Sequence, residues 1–365
     1  MTAEPVSEGL GSRLPALIAL AKEPSSEKRR ALLRDLTDHF FGPRSSPAED
    51  ALYDTVLTAL SAEMETAVRA ELAARFAHVE APPRALIRRL AHDEAAVAVA
   101  VLAHSPALTE ADLLDVARTQ GQAHLRAVST RAEVSEAVSD VVVERGDDET
   151  LDVLLRNDGA RLSRAASETA IARARANPAL HEAAVARKAL PPDLLNEMYF
   201  VVEARLRQQI LERNARMDPA LLDAALAAGR ARVQTDDGVL PPDYAESLAY
   251  VQELSAAGEL SPKMLVRFLR SPSRTAFTVA LAQMADLDFP TAQGIIDRGE
   301  LDALAVVCKA ADLDRSLFLT YAVVLLNADG DAMAKAHGYA RLYAELDRDA
   351  ALRTLRFWRL RRQAA

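Results

Sequence analysis

The apolar positions of this chain fall in short runs, each two to three helical turns long and closed by a polar or turn-forming residue. Residues suited to opening a helix stand at Pro83, Thr109, Ser135, Ser163, Pro191 and Asp218, spaced 26, 26, 28, 28 and 27 apart. Ser, Thr and Asp side chains accept from the unpaired N–H groups of a first helical turn, and proline fits that turn because its missing N–H is not needed there. Thr109-Glu-Ala-Asp and Ser135-Glu-Ala-Val read as caps, and Pro191-Pro-Asp-Leu-Leu as a proline start. Ahead of the markers lie the ends of other apolar runs, at Val101-Leu-Ala, Ala127-Val-Ser, Leu154-Leu-Arg, Ala184-Val-Ala and Ile210-Leu-Glu. Two short helices therefore fill each unit of about 27 residues. Helices this short are marginal alone in water, so each pair must bury its apolar face on its neighbours. The pattern predicts an all-α fold, a HEAT-like α-solenoid of short helix-pair repeats.

The start signal returns at Ser261-Pro262, Pro290-Thr291 and Asp314-Arg315 with less regular spacing, which predicts a second helical array at the C-terminal end. Between the two halves, residues 229–243 lose apolar periodicity and gather turn formers, as a linker would. At the front, Leu14 to Leu20, Arg29 to Phe41 and Ala48 to Leu60 read as helices. The expected organisation is an N-terminal helical cap over 1–60, a helical-repeat domain over 61–228, the linker, and a C-terminal helical domain over 244–365 that ends in a basic helix.

Composition supports helix over strand: aromatic residues are few, and Ala, Leu, Arg and Glu abound. A net charge of −9 disfavours nucleic acid and anionic lipid as partners of the whole chain, unless basic residues are segregated locally. A single cysteine cannot form an internal disulfide, and no stretch reads as a signal peptide or a membrane span. A cytoplasmic location is the expectation. Cys308 sits in the run Leu304-Ala-Val-Val-Cys-Lys-Ala-Ala, as a small buried residue would.

The turns between helices carry a recurring polar residue at Arg75, His104, Arg131, Asn157, Arg187 and Asn214. Such side chains can tie up the last carbonyls of a helix. Alternatively, Arg131, Asn157 and Arg187 line a groove and grip an acidic partner. Repetition at every unit favours the architectural role.

Several segments together resemble the bacterial domain-of-unknown-function family number 2336. They are Val68-Arg-Ala-Glu-Leu-Ala-Ala-Arg, Leu102-Ala-His-Ser-Pro-Ala-Leu, Ser129-Thr-Arg, Glu144-Arg-Gly-Asp, Leu155-Arg-Asn-Asp-Gly-Ala and Leu190-Pro-Pro-Asp-Leu. Further along, Gly258-Glu-Leu-Ser-Pro-Lys-Met-Leu-Val-Arg, Ala280-Leu-Ala and Lys309-Ala-Ala-Asp-Leu are similar to the family's pattern. The resemblance runs from about residue 15 into the C-terminal half. It implies a helical, HEAT-like fold and no established activity. It departs at Lys309-Ala-Ala-Asp-Leu, where a glycine is expected near Asp312.

Residues that could carry chemistry do not form a constellation in the sequence. His92-Asp-Glu with His104, and His181-Glu182, lack the i, i+4 histidine pair of a helical zinc motif. No glycine loop for phosphate and no Gly-x-Ser-x-Gly elbow occurs, and pairs such as Asp147-Asp148 and Asp236-Asp237 are ordinary on an acidic surface. Arg145-Gly146-Asp147 reads as a helix end with glycine in the left-handed conformation, not as an adhesion tripeptide. No catalytic residue, cofactor or metal ligand is assigned.

The C-terminal stretch from Leu352 carries Arg353, Arg356, Arg359, Arg361 and Arg362 and the only tryptophan, Trp358. It reads either as a last helix packing Leu352, Leu355 and Trp358, or as a basic amphipathic element for a membrane surface, nucleic acid or an acidic partner helix. Candidate partner-binding residues are thus Arg131, Asn157, Arg187, Arg353, Arg356, Trp358 and Arg359. The expected function is a non-catalytic cytoplasmic scaffold or adaptor that binds a protein partner through the extended repeat surface. The alternatives are a nucleic-acid-binding helical repeat, and an enzyme whose site assembles only in three dimensions.

Overall fold

The computed structural model describes residues 26–41, 47–62, 64–230, 240–271, 273–326 and 332–359. All its regular elements are helical apart from one isolated parallel bridge between Val134 and Ala160. The residues divide into two compact units between Ala189 and Leu190. The expected linker at 229–243 falls largely outside the described residues. The unit boundary comes earlier than that linker because the helices from Pro192 to Arg230 pack on the C-terminal helix. The expected helix at Leu14 to Leu20 lies outside the described residues.

In the first unit the helices are α1 (Ser26–Phe40), α2 (Pro47–Ala62), α3 (Thr66–Phe76), α4 (Arg84–Ala91), α5 (Ala95–His104), α6 (Glu110–Thr119), α7 (Gln122–Ser129), α8 (Glu136–Arg145), α9 (Asp148–Arg156), α10 (Arg164–Ala176) and α11 (His181–Ala186). The second unit holds α12 (Pro192–Glu197), α13 (Ala204–Ala215), α14 (Pro219–Arg230), α15 (Tyr244–Ala256), α16 (Pro262–Leu269), α17 (Thr275–Ala285), α18 (Phe289–Asp297), α19 (Leu301–Ala310), α20 (Arg315–Leu326), α21 (Ala332–Glu345) and α22 (Arg348–Trp358).

Each regularly spaced marker opens a helix. Pro83 and Pro191 stand just before α4 and α12. Thr109 closes a reciprocal capping box with Asp112, and Ser135 and Ser163 accept from the N–H groups of Val138 and Ala166. Asp218 accepts from Ala220 at 2.8 Å before α14. Among the later markers, Asp288, not Pro290, caps α18, because its carboxylate reaches the Thr291 N–H at 2.8 Å.

Packing in the first unit skips one helix at each step. α3 packs on α5, α5 on α7, α7 on α9 and α9 on α11; beside them α2 packs on α4, α6 on α8 and α8 on α10. The buried side chains follow the helical period, as in α9, where Leu151, Leu154 and Leu155 are fully covered. At α1 and α2, Phe40 meets Tyr53 and Phe76 edge to face.

The two units end their helices differently. In the first, α5, α8, α9 and α11 run into an extended residue, at Ser105, Gly146, Asn157 and Arg187. The left-handed conformation expected of Gly146 is therefore not found: its φ is −69°. Glycine is needed there for space, since a Cβ would stand 2.6 Å from the Val142 carbonyl oxygen. In the second unit, α15, α17, α18 and α19 end on left-handed residues, Gly258, Asp286, Gly299 and Asp312, and the next N–H turns back to the helix, as in Leu313 to Cys308 at 2.9 Å.

Asp312, with φ 57°, lies in the stretch where the family pattern leads one to expect a glycine nearby. An L residue pays a steric cost there that glycine does not. Its ion pair with Arg348 is solvent-exposed and worth little. Asp312→Gly is therefore expected to stabilise the second unit by roughly 0.5–1 kcal/mol in urea titration, despite the loss of that pair.

Candidate functional site

Arg131, Asn157 and Arg187 are brought into one series, and each caps a helix of the preceding step. Arg131 donates to the carbonyls of Leu102 (2.6 Å) and Ser105 (2.8 Å) at the end of α5. Asn157 donates to Ser129 and Arg131, both at 2.7 Å, at the end of α7. Arg187 donates to Leu154, Leu155 and Asn157 at 3.3, 3.3 and 3.1 Å, and to Ala160, around the end of α9. None of these helices ends on a left-handed residue that would turn the next N–H back onto its last carbonyls, and the side chains fill that need. Burial pulls the proton affinity of the Arg131 and Arg187 guanidiniums below the ordinary value, but the carbonyl ends of the helices face each charge. Arg187 is only 3% exposed, so it does not line an open groove.

A second series, not singled out in the sequence, runs along the neighbouring row. Arg145 donates to Ala117 and to Gln120 (3.3 Å) at the end of α6. Arg173 donates to Val143 (3.2 Å) and Gly146 (2.9 Å) at the end of α8. Their 28-residue separation was a usable signal. It was masked by the many arginines in last helical turns, which periodicity alone does not rank.

The other members of the polar series have different neighbours. Arg75 pairs with Asp38 and lies over the Phe41 ring, and the rings of His104 and His78 stand 4.7 Å apart. Asn214 is wholly buried. It exchanges amide hydrogen bonds with Asn196 at 2.9 and 3.2 Å and donates to Thr354 at 2.7 Å. Of the remaining histidines, His92 lies 2.9 Å from Asp115 and His124 2.8 Å from the Asp93 carbonyl, while His181 is buried. Among the described residues no group of three or more His, Cys, Asp or Glu side chains is arranged to hold a metal ion. Cys308 is fully buried, which pushes its thiol well above the ordinary range.

The turn Asn157-Asp-Gly-Ala locks successive steps together. Asn157 also accepts from Gly159 N–H at 2.9 Å, Val134 N–H donates to the Gly159 carbonyl at 3.2 Å, and Arg161 N–H donates to Val134 at 3.0 Å. A Cβ at Gly159 would fall 1.9 Å from the Ala132 carbonyl oxygen. Gly159→Ala must displace backbone, and an overpacking cost of about 2–3 kcal/mol is expected in thermal or urea unfolding.

The C-terminal helix α22 is packed rather than free. Ala350, Ala351, Thr354, Leu355, Phe357 and Trp358 are buried, and Trp358 has its ring 5.0 Å from those of Tyr199 and Phe200. Arg353 caps the end of α13 through the carbonyls of Asn214, Ala215 and Met217 at 3.1, 2.9 and 2.5 Å. Arg356 pairs with Asp223 at 3.0 Å, and Arg359 donates to Ala285 at 2.8 Å and pairs with Asp286 at 3.5 Å. The free basic element considered from sequence is thus replaced by a helix whose arginines hold neighbouring helix ends. Arg361 and Arg362 lie outside the described residues.

Sequence reasoning also missed a charged cluster inside the second unit. Arg207 on α13 lies 2.5 Å from Asp302 and 3.7 Å from Glu300, and the exposed Arg298 stands 3.5 Å from Glu300. Tyr199 is wholly buried beside them, and burial with the nearby Asp302 raises its phenol well above the ordinary value. Glu300 itself is held above the usual carboxylate range, by burial first and by Asp302, against the pull of Arg298 and Arg207. Nothing in the sequence distinguishes Glu300 from other glutamates, because a charge is marked as buried only by what packs over it.

Residues 97–356 match the family described as uncharacterised proteins conserved in bacteria, DUF2336. The chain belongs to the DUF2336 family. The match begins at Val97, further along than the residue 15 from which the resemblance was read. Comparison with curated proteins and with solved structures finds no match. Much of the resemblance in the first unit rests on the segments that build the caps. Leu102 to Ser105 accept from Arg131, Ser129-Thr-Arg accepts from Asn157, and Leu155-Arg-Asn-Asp-Gly-Ala accepts from Arg187. Among the described residues of this DUF2336 chain no helix is long and apolar enough to cross a membrane.

Proposed function

We propose that this DUF2336 protein is a non-catalytic cytoplasmic scaffold, whose first unit is a HEAT-like stack of short helix pairs that offers its outer surface to a protein partner. The observation that carries this reading is the stepwise capping by Arg131, Asn157 and Arg187, which fixes each helix end to the preceding step. A surface held in that way is preorganised, so little ordering cost is left for the moment of binding. The nucleic-acid alternative called for the arginine series and the basic C-terminal stretch to face one ligand. Arg131, Arg187 and Arg353 instead direct their guanidiniums at backbone carbonyls. The enzyme alternative called for a perturbed carboxylate in a deep pocket. Glu300 is such a carboxylate, but it borders a small recess whose other walls are mostly apolar.

Affinity capture from native lysate tests the scaffold. Removing the C-terminal stretch would take away a packed helix, so the comparison uses charge reversal at Glu136 and Glu144, which share an exposed face of α8. The expected result is one protein retained by the parent chain after nuclease treatment and weakened by changes on an outer face. Retention that vanishes with nuclease, or no specific protein at all, overturns the reading.

A further inference from the structure

Two neighbouring helices of the second unit carry matched stripes of opposite charge on their solvent faces. On α15 the buried positions are Ser247, Val251 and Leu254, and Glu246, Tyr250 and Glu253 stand exposed at i, i+4 and i+7. On α16 Leu265, Phe268 and Leu269 face inward, and Lys263, Arg267 and Arg270 stand exposed at the same spacing. Arg270 follows the last residue of α16 but keeps a right-handed helical conformation, so the stripe runs through it. Positions spaced in this way share one helix face and span about 10 Å along it, so the two stripes have equal length. Tyr250 joins them. Its ring meets the Phe268 ring edge to face at 6.0 Å, yet the residue remains 49% exposed.

Among the described residues none of the five charges in these stripes forms an ion pair, and the Arg267 guanidinium reaches only the Met264 Sδ, at 3.5 Å. Arg131, Arg187 and Arg356, by contrast, are held by carbonyls or a carboxylate of their own chain. A uniformly anionic partner, membrane or nucleic acid, would gain at Lys263, Arg267 and Arg270 but meet Glu246 and Glu253 on the adjoining helix and a net charge of −9 on the whole chain. A second copy of this chain answers both stripes at once. A two-fold interface is self-complementary, so when α15 of one copy meets α16 of the other, the reciprocal contact forms as well.

We infer that the chain forms a two-fold dimer in which the α15 stripe of each copy lies against the α16 stripe of the other. The middle members then meet as a cation over an aromatic ring, Arg267 on Tyr250. To either side, Glu246 and Glu253 meet Lys263 and Arg270. Exposed ion pairs contribute little each and are screened by salt, so the dimer is reversible and salt-sensitive, with its pairing chosen by charge complementarity.

Sedimentation velocity of the full chain from about 5 to about 200 µM tests the dimer. Dimer should accumulate with concentration at about 0.05 M salt and dissociate at about 0.5 M, where the Debye length is roughly 4 Å. Reversing the α16 stripe with Lys263→Glu, Arg267→Glu and Arg270→Glu, or the α15 stripe with Glu246→Lys and Glu253→Lys, should each leave monomers, because like charges then oppose each other at both contacts. An equimolar mixture of the two reversed chains should dimerise again, since every acidic stripe finds a basic one in the other chain. Arg267→Ala, which preserves helix propensity, should raise the Kd of the dimer about fivefold and provides the test should a reversed chain fail to fold. A parent chain that stays monomeric at low salt overturns the inference, and so does one whose basic stripe retains anionic vesicles or DNA while the chain remains a monomer. A reversed chain that dimerises like the parent, folded reversed chains that stay monomeric when mixed, or an Arg267→Ala chain with the parent's Kd overturns it equally.

Discussion

Replacing Arg187 with methionine is expected to cost the first unit about 3 kcal/mol of stability, read as a lowered midpoint in urea unfolding followed by far-UV circular dichroism. Methionine fills most of the volume but donates nothing to the carbonyls of Leu154, Leu155, Asn157 and Ala160. A charge-assisted hydrogen bond is worth roughly 1.5–3 kcal/mol, and a buried acceptor left unmade forfeits its hydration as well. Burial of the guanidinium opposes these gains, since the same desolvation lowers its proton affinity. The helix-end carbonyls and Asp158 offset that penalty. Arg187→Lys should recover only part of the loss, because one ammonium cannot span carbonyls that a planar guanidinium reaches together. A cost under about 1 kcal/mol for Arg187→Met would mean that water satisfies the carbonyls equally well, and would remove the basis for treating the series as the array's rivets.

That contribution belongs to a feature visible in the sequence only as a spacing. The positions of Arg131, Asn157 and Arg187 and their architectural role could be read because the physical need recurs: every helix of that row ends without a left-handed residue, so every step calls for a donor. The helix starts were legible for the same local reason, since a Ser, Thr or Asp that caps acts within three residues of itself. The partner of each donor was not legible, because it lies 26 to 33 residues away. The second unit shows the limit more sharply. Ser261, Asp288 and Asp314 mark helix starts there too. But the order in which those helices pack is set by α22, which returns from the end of the chain to α12, α13, α14 and α19. Periodicity carries no information about such a return. Glu300 escaped notice for a related reason: it is marked by burial first, and one of its charged neighbours, Arg207, lies almost a hundred residues earlier.

Ending the chain after Asp347 is expected to unfold much of the second unit, not merely to shorten it. The deleted helix buries Leu355, Phe357 and Trp358, and each such side chain contributes about 1.5–3 kcal/mol through removal of apolar surface from water. Together they approach the whole net stability of a typical domain, roughly 5–15 kcal/mol. Thr354 and Arg353 add polar losses: Asn214 would be left without one of its buried partners, and the carbonyls at the end of α13 without their cap. The expected observation is a fall in far-UV helical signal larger than the 11 residues of α22 account for, together with rapid proteolysis within residues 190–347. A milder variant separates packing from folding failure. Leu355→Ala keeps the helix and the arginines, and should lower the unfolding midpoint by an amount equivalent to 2–5 kcal/mol, roughly the cost of a buried leucine truncation. Emission from Trp358, the chain's only tryptophan, reports that transition from inside the affected core. If the shortened chain kept its helical signal and protease resistance, α22 would be an appendage, and its arginines would again be available to a partner. The caps at Asn214, Ala215, Met217 and Ala285 argue for the clasp.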